Sequence, residues 1–175
     1  MTPAPLPHDE PRRLRALRAL LVLDTSPEER FDRIVQFAAE EFDVPIALVS
    51  LVDAERQWFK ARVGMDVCET ARDISFCGHA IVQPELFVVE DAAADERFAD
   101  NPAVAGPPHV RFYVGAPLCL PEGAIVGTLC MVDHRPRTLD DLDRAILASL
   151  RDMVVAELVN GTLLGPRAPG TGERR

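Results

Sequence analysis

The sequence lacks the long apolar run of a membrane protein. Its longest apolar stretch, VPIALVSLV at 44–52, is far shorter than the roughly 20 residues that a helix needs to cross a bilayer. The first residues, MTPAPLPHDEPRR, also lack the apolar centre of a secretory signal peptide. We therefore expect a cytoplasmic protein that does not act at a membrane.

Cysteine and histidine are scarce, and neither is spaced for a metal. The four cysteines, Cys68, Cys77, Cys119 and Cys130, do not make a disulfide scaffold in a chain of 175 residues. No C-x-x-C pair occurs, and the four histidines are scattered, so the ligand spacing of a zinc site is missing. The phosphate-binding pattern G-x-x-x-x-G-K-S/T is missing as well. The sequence therefore identifies no metal and no cofactor.

Positive charge is also in deficit. The formal net charge is -9, which disfavours nucleic acid as a partner because the average surface repels phosphate. One basic cluster, Arg12 to Arg18, alternates with leucines at helical spacing, and we interpret it as the solvated face of a packing helix. With 47% hydrophobic and 27% charged residues, the composition is that of one globular domain.

Apolar periodicity predicts helices near both ends of the chain. One is expected over 10–23, and Ser26 with Glu29 has the spacing of a capping box for a second. The second helix has an apolar stripe that should pack on a sheet, namely Phe31, Ile34, Val35, Ala38 and Phe42. A last helix is predicted over 139–158, with an apolar stripe of Leu139, Leu142, Ile146, Leu150, Met153 and Leu158.

Five segments have the composition of strands. IALVSLVD at 46–53 is apolar throughout, whereas QWFKARV at 57–63 alternates, which predicts a hairpin whose second strand has a wetter face with Trp58, Lys60 and Arg62. LFVVED, FYVGAPLCL and AIVGTLCMVD supply three more strands, the last two joined by a turn at Gly123. The fold class is therefore α+β, with a central antiparallel sheet of five or six strands.

The remaining segments connect this sheet. Ser75 is expected to cap a short helix over 76–83, and the Asp- and Pro-rich excursion at 92–111 has the character of a binding lid. We expect a flexible segment at 1–9, a single domain at 10–160 and a disordered tail at 161–175.

Most of the chain resembles a GAF domain of the bacterial type. The resemblance is carried by ordered motifs: LDTSPEERFDRIVQFAAEEFDVPIALVSLVD, QWFKARVG, RDISFCGHAI, VVEDAAADERFADNPAV and FYVGAPLCLPEGAIVGTLCMVD. It implies a sheet with the terminal helices on one face and short helices and loops on the other. It also implies a homodimer through the terminal helices, a small-molecule pocket between the sheet and the central loops, and a kinase or cyclase as output partner.

Eight residues are candidates for lining that pocket. They are Phe76, Cys77, His79, Asp91, Arg97, Phe112, Tyr113 and Cys130. Tyr113 offers a hydroxyl inside an apolar site, and Arg97 is suited to bidentate contact with a carboxylate or phosphate. An equally open alternative for Arg97 is a local network with Asp95 that pins the loop. The identity of the ligand is not encoded in these residues.

Cys77 and His79 do not form a catalytic dyad on a helix. Two positions along a helix rotate the side chain by about 200°, so these two groups point to opposite sides. Resemblance to bilin-binding GAF domains is broken by Gly78, which separates the cysteine from the histidine. The N-K-F-D/E motif of cyclic-nucleotide-binding GAF domains does not occur, and no histidine maps onto that of the haem-binding type.

Two alternatives to a sensory domain remain. Free methionine-R-sulfoxide reductases have GAF folds, and Cys68 and Cys77 have nearly the spacing of two of their redox cysteines, but 92–111 contains no third cysteine. The other alternative is an interaction module without ligand, which predicts a closed pocket and apolar outer faces on the terminal helices. We favour a sensory domain over an enzyme.

Overall fold

The computed structural model describes residues 1–164. In this range the helices are α1 (Glu10–Ala19), α2 (Glu29–Glu41), α3 (Phe76–Ala80), α4 (Pro102–Ala105) and α5 (Asp141–Leu164). The strands are β1 (Ile46–Val52), β2 (Arg56–Val63), β3 (Glu69–Ala71), β4 (Phe87–Val89), β5 (Phe112–Cys119) and β6 (Ile125–Asp133). The predicted α+β class is confirmed.

The strands form one sheet in the order β3-β2-β1-β6-β5-β4, and every neighbouring pair is antiparallel. The two predicted hairpins are β1–β2 and β5–β6. Gly123 makes the turn of the second hairpin with a φ of +92°, a conformation that glycine adopts without strain. In the centre, Ser50 of β1 faces Thr128 of β6. The short strand β3, which the sequence did not indicate, extends the edge beside β2.

A bulge in β2 changes which of its side chains are buried. Phe59 pairs with Ser50 and Ala61 pairs with Val49, so Lys60 is the extra residue between them. The regular alternation is interrupted there, and both Trp58 and Lys60 are buried. The predicted wetter face is therefore wrong for these two residues.

Helices α2 and α5 cover one face of the sheet. The predicted stripe of α2 is confirmed, since each of its five residues is buried. The face of α5 that packs on the sheet consists of Leu147, Leu150, Val154 and Leu158. The stripe predicted for α5 is wrong at Leu142 and Met153, which are 67% and 54% exposed, because the i, i+3, i+7, i+11 row from Leu147 takes the buried side instead.

The helix starts also differ from the predicted caps. Helix α2 begins after Glu28, and no side-chain hydrogen bond caps it. The Thr25 hydroxyl donates to the Val22 carbonyl instead, and the Ser26 backbone carbonyl accepts from Lys60 Nζ. Helix α5, predicted to begin at 139, begins at Asp141 after a reciprocal cap made by Asp140 and Asp143. Helix α1 ends at Ala19, before the predicted 23, and Leu21 follows with a φ of +53°.

The other face of the sheet is covered by α3, the excursion that contains α4, and the N-terminal residues. Ser75 caps α3 as predicted, accepting a hydrogen bond from the Gly78 amide at 2.9 Å. The segment at 1–9 is extended over this layer, where the Thr2 amide donates to the Arg97 carbonyl at 3.1 Å. Helix α5 continues past the predicted boundary at 160, and residues 165–175 of the predicted tail lie outside the described range.

Candidate functional site

Helix α3 brings three of the eight predicted site residues onto the sheet. Its five residues, from Phe76 to Ala80, are all buried, and the helix packs against β5, β6 and β1. Phe76 and Cys77 point into the apolar layer between α3 and the sheet, together with Tyr113 and Cys130. Four of the predicted residues therefore belong to one buried cluster.

The centre of this cluster is the Cys77 sulfur. The Tyr113 hydroxyl donates to it at 3.2 Å, the Thr128 hydroxyl donates at 3.3 Å, and the Cys130 sulfur lies 3.8 Å away. Gly115 makes room for this arrangement, because a Cβ there would lie 2.4 Å from the Tyr113 hydroxyl oxygen. Thr128 was missed as a site residue.

Aromatic side chains occupy the space where a ligand pocket was predicted. The Phe76 ring stacks on Phe98 with centroids 4.2 Å apart and on Tyr113 at 5.0 Å. The Phe87 ring meets the edges of Phe98 and Tyr113. Phe98 is fully buried, although the sequence did not suggest it as a site residue. A ligand would have to displace these rings, so the predicted pocket is closed by the chain itself.

His79 lies at the edge of the aromatic cluster, under the N-terminal residues. Its Nε2 atom is 3.2 Å from the Thr2 carbonyl oxygen, and its ring packs edge-on against Phe98. Burial lowers the pKa of His79, so the neutral ring is favoured. No hydrogen bond joins the side chains of His79 and Cys77, in agreement with the prediction that they point to different sides of the helix.

Asp91 and Arg97 are each held by a partner within the chain. Arg111 binds Asp91 with two hydrogen bonds of 2.8 and 3.0 Å and lowers the pKa of that carboxyl. Arg97 binds Asp95 in the same bidentate manner, and its guanidinium lies over the Phe87 and Phe98 rings. The structure therefore has the local network for Arg97, the second of the two predicted alternatives.

Phe112 lies on the opposite face of the sheet from Tyr113. Successive side chains of a strand point to opposite faces, so two adjacent residues cannot both line one pocket. Phe112 is buried among the residues that pack under α2 and α5. Its assignment to the ligand pocket is wrong for this reason.

An open pocket of about 660 Å³ lies elsewhere, between α2 and β2. It is lined by Asp24, Thr25, Pro27, Asp32, Gln36, Trp58, Phe59, Lys60, Ala61, Arg62, Val63 and Cys68. Lys60 lies at its base, where Nζ contacts the Thr25 hydroxyl at 2.8 Å and the Glu28 carboxylate at 2.7 Å. This pocket was not predicted from the sequence, because the alternation of apolar and polar residues in β2 gives no sign of the bulge that buries Lys60.

A second opening of about 510 Å³ is a largely apolar groove along the C-terminal half of α5. It is lined by Pro84, Pro117, Cys119, Pro121, Arg151, Asp152, Val155, Ala156, Val159 and Asn160. In residues 1–164 no group of three or more acidic, histidine or cysteine side chains is arranged to hold a metal ion. Over the same range, no helix is long and apolar enough to span a bilayer.

The comparison with protein families decides the class of this domain. The model of the GAF domain family matches residues 26–158, which is most of the chain. The chain belongs to the GAF domain family. GAF domains are regulatory and sensory domains, and the resemblance inferred from the motifs is confirmed.

One relative with a known activity is a cyclic di-GMP phosphodiesterase from Pseudomonas aeruginosa. It is 42% identical over 159 residues, which cover 90% of this chain but 27% of the phosphodiesterase. This GAF chain therefore spans about a quarter of the length of that relative.

Solved structures of low identity share the fold. The GAF domain of a phosphoenolpyruvate-protein phosphotransferase from Coxiella burnetii has a TM-score of 0.66 and 15% identity, covering 87% of this chain and 95% of that one. A free methionine-R-sulfoxide reductase from Neisseria meningitidis has a TM-score of 0.62 and 17% identity, covering 86% and 88%. At this identity the likeness concerns the fold alone.

The geometry of the GAF domain does not favour the reductase alternative. Cys68 is exposed in the segment before β3, whereas Cys77 is buried under α3. The sulfur beside Cys77 is that of Cys130, which is also buried. Reduction of free methionine sulfoxide requires room for a whole amino acid beside the attacking thiol, and the packed rings around Cys77 leave no such room.

Proposed function

We propose that this GAF domain regulates an enzyme of cyclic di-GMP turnover through contacts made by α2 and α5. The observation that carries the proposal is the 42% identity over 90% of the chain with part of a cyclic di-GMP phosphodiesterase. Because this chain belongs to a regulatory family, we infer that the shared part of that enzyme is regulatory too. In place of the kinase or cyclase expected from the sequence, we propose as output partner an enzyme that makes or hydrolyses cyclic di-GMP.

The outer surface of α2 and α5 supports a second copy of the chain as the contact partner. It exposes three large apolar side chains, Phe37 at 50%, Leu142 at 67% and Met153 at 54%. The apolar groove beside α5 adds Val155 and Val159 to the same helix. Exposed apolar surface of this kind is typical of an interface. If two copies share this helix layer, a conformational change in one copy alters the position of the helices in the other and so affects the enzyme that the domain regulates.

Light scattering at increasing protein concentration tests the dimer. We expect the unchanged chain to be a dimer and Met153→Glu to be a folded monomer with the same circular dichroism spectrum, because the Met153 side chain is exposed in the single chain and is not needed for its fold. Val82→Glu is the matched control, because Val82 is also apolar and 43% exposed but follows α3 on the other face. A monomer at every concentration would contradict the proposed interface.

A chimera tests the link to cyclic di-GMP. The matching segment of the Pseudomonas phosphodiesterase is replaced by this chain, and hydrolysis of cyclic di-GMP is measured. We expect an active chimera whose rate changes with Met153→Glu and not with Val82→Glu. Equal rates for the three proteins would show that the helix surface does not regulate the enzyme.

A second candidate function is small-molecule binding in the pocket between α2 and β2. Its volume of about 660 Å³ falls in the range of ligand sites, and polar groups converge in it. Trp58, the sole tryptophan, lines this pocket and reports its occupancy by fluorescence. We expect cyclic nucleotides or amino acids that raise the melting temperature to change Trp58 fluorescence, and Gln36→Ala to weaken the effect more than Glu40→Ala. Absence of any shift would remove this candidate.

A further inference from the structure

Two thiols face each other in the buried layer beneath α3. Cys77 is on that short helix and Cys130 is on the central strand β6, with their sulfurs 3.8 Å apart. Both are free thiols, and their exposed fractions are 2% and 0%. A disulfide bond has a sulfur separation of about 2.05 Å, so the two sulfurs must approach by about a further 1.8 Å to be joined.

The surroundings of Cys77 differ from those of a cysteine that only fills space. A packing thiol needs no hydrogen bonds, yet two hydroxyls, those of Tyr113 and Thr128, donate to this sulfur from within an apolar cluster. The Tyr113 hydroxyl reaches it because residue 115 has no side chain. Donors that converge on one sulfur stabilise its thiolate form, which is the nucleophilic form.

The acid–base chemistry of the cluster agrees with this geometry. Burial opposes ionisation of Cys77, but hydrogen bonds from Cys130, Thr128 and Tyr113 outweigh it and lower the Cys77 pKa. The hydrogen bond to Cys77, together with burial, raises the pKa of Cys130. Burial likewise raises the pKa of Tyr113, which keeps its hydroxyl protonated as a donor. The two hydroxyl donors therefore favour Cys77 over Cys130 as the sulfur that ionises.

We propose that Cys77 and Cys130 are a redox-active pair that a hydroperoxide converts into a disulfide. The Cys77 thiolate attacks the terminal peroxide oxygen and the O–O bond breaks. The departing alkoxide or hydroxide takes up the proton that the Cys77 thiol released, so that a sulfenic acid and an alcohol or water are formed. The Cys130 sulfur then attacks the Cys77 sulfur, the S–O bond breaks, and hydroxide leaves with the Cys130 proton as water. Two thiols are oxidised by two electrons, and one hydroperoxide is reduced.

Access to the pair requires local opening, and the structure has a segment suited to it. Helix α3 has five residues and is covered by the N-terminal segment, whose Ala4 methyl lies against Gly78. Short elements of this kind open more readily than the central sheet. The resulting disulfide would join the loop layer covalently to β6. This inference does not depend on the proposed role in cyclic di-GMP turnover.

The test uses a chain in which Cys68→Ser and Cys119→Ser remove the two exposed thiols. The folded protein is treated with hydrogen peroxide, alkylated in denaturant and analysed by mass spectrometry. We expect loss of both alkylatable thiols, a peptide pair that links residues 77 and 130, and full reversal by dithiothreitol. Sulfinic or sulfonic acid on Cys77 beside a free Cys130, links between chains, or no oxidation at all would each overturn the proposal.

A third substitution, Cys130→Ala in the same background, separates the two steps. Without the second thiol, the Cys77 sulfenic acid is expected to persist and to react with a 1,3-diketone probe. No labelling in this variant, with circular dichroism showing a folded protein, would refute the attack by Cys77. Tyr113→Phe and Thr128→Val each remove one donor to the sulfur, and we expect each to slow disulfide formation by about threefold or more, because the thiolate fraction falls.

Discussion

The two faces of the sheet are covered by different kinds of side chain. The face under α2 and α5 is packed mainly with aliphatic residues, together with Phe31, Phe42, Trp58 and Phe112, and its helices are long and follow a regular apolar period. The face under α3 and the central loops contains stacked aromatic rings, two thiols and the hydroxyls of Tyr113 and Thr128. The covering elements there are short, and the N-terminal residues lie across them.

This difference in side chains implies that the helix-covered face contributes most to stability and that the loop-covered face contains the reactive groups. Aliphatic packing gains free energy in proportion to the area removed from water and needs no specific partner. A buried hydroxyl or thiol is costly unless a partner is placed for it, so its position is specified more closely. We therefore expect substitutions under the helices to change the free energy of unfolding most, and substitutions under the loops to change reactivity.

The largest expected effect is at Leu147, at the centre of the helix-covered face. Leu147→Ala removes a side chain with 0% exposure, and we expect a loss of about 2–5 kcal/mol in the free energy of unfolding, measured in urea. Leu142→Ala is the control on the same helix, because Leu142 is 67% exposed and should change stability by under about 0.5 kcal/mol. Equal losses for the two variants would mean that α5 does not pack as described.

The next effect concerns Glu10, which connects the two faces. Glu10 of α1 binds both Arg13 and Arg72, and Arg72 lies in the segment that leads into α3. Burial raises the pKa of Glu10, but the hydrogen bonds from Arg13 and Arg72 outweigh it, so the pKa falls from 4.5 to about 2. The arginines of α1 were predicted to form a solvated face. This prediction is wrong for Arg13, which is buried in this contact.

A carboxyl with a lowered pKa stabilises the fold above its unfolded pKa, and this stability is lost as the pH falls toward the folded value. We therefore expect Glu10→Gln to lower the free energy of unfolding by about 2 kcal/mol at pH 7, because solvent screens part of the interaction of this partly buried carboxylate, and we expect the difference from the unchanged chain to shrink as the pH falls from 4.5 toward 2. Glu29→Gln, in an exposed pair with Arg33, should have little effect at any pH. A difference that does not vary with pH would contradict the assignment.

Lys60 is a charged residue on the helix-covered side of the sheet. It therefore tests whether the stability of that face depends on apolar packing alone. Its side chain is 0% exposed and is fixed by Glu28, the Thr25 hydroxyl and the Ser26 carbonyl. Lys60→Met keeps the apolar stem but leaves these groups without their donor, and we expect a loss of about 2 kcal/mol. Arg33→Met, in an exposed pair, should cost under about 0.5 kcal/mol. If Lys60→Met leaves the free energy of unfolding unchanged, the charge of Lys60 is not needed for the stability of this face.

The sequence predicted the helix-covered face better than the loop-covered one, and the reason is physical. A repeated apolar spacing states which side of α2 is buried, because burial there depends on area alone. The contact of Cys77 with Thr128 and Cys130 joins residues about fifty positions apart, and no local pattern encodes it. The same applies to Lys60, whose burial depends on one extra residue in β2. The layer where the family resemblance predicts a pocket is packed with aromatic side chains from separate segments, and no local pattern indicates that packing.

The smallest expected effect on stability is also the sharpest test of the comparison. Thr128→Val replaces the hydroxyl by a methyl of similar size in a site with 0% exposure. One hydrogen bond to sulfur is lost, but the cost of burying a hydroxyl is lost with it, so we expect the free energy of unfolding to change by under about 1 kcal/mol. Thermal and urea unfolding measure this change, and the rate of disulfide formation in peroxide measures reactivity. If stability falls by as much as in Leu147→Ala while the oxidation rate is unchanged, the hydroxyl serves packing, and the two faces do not differ in kind.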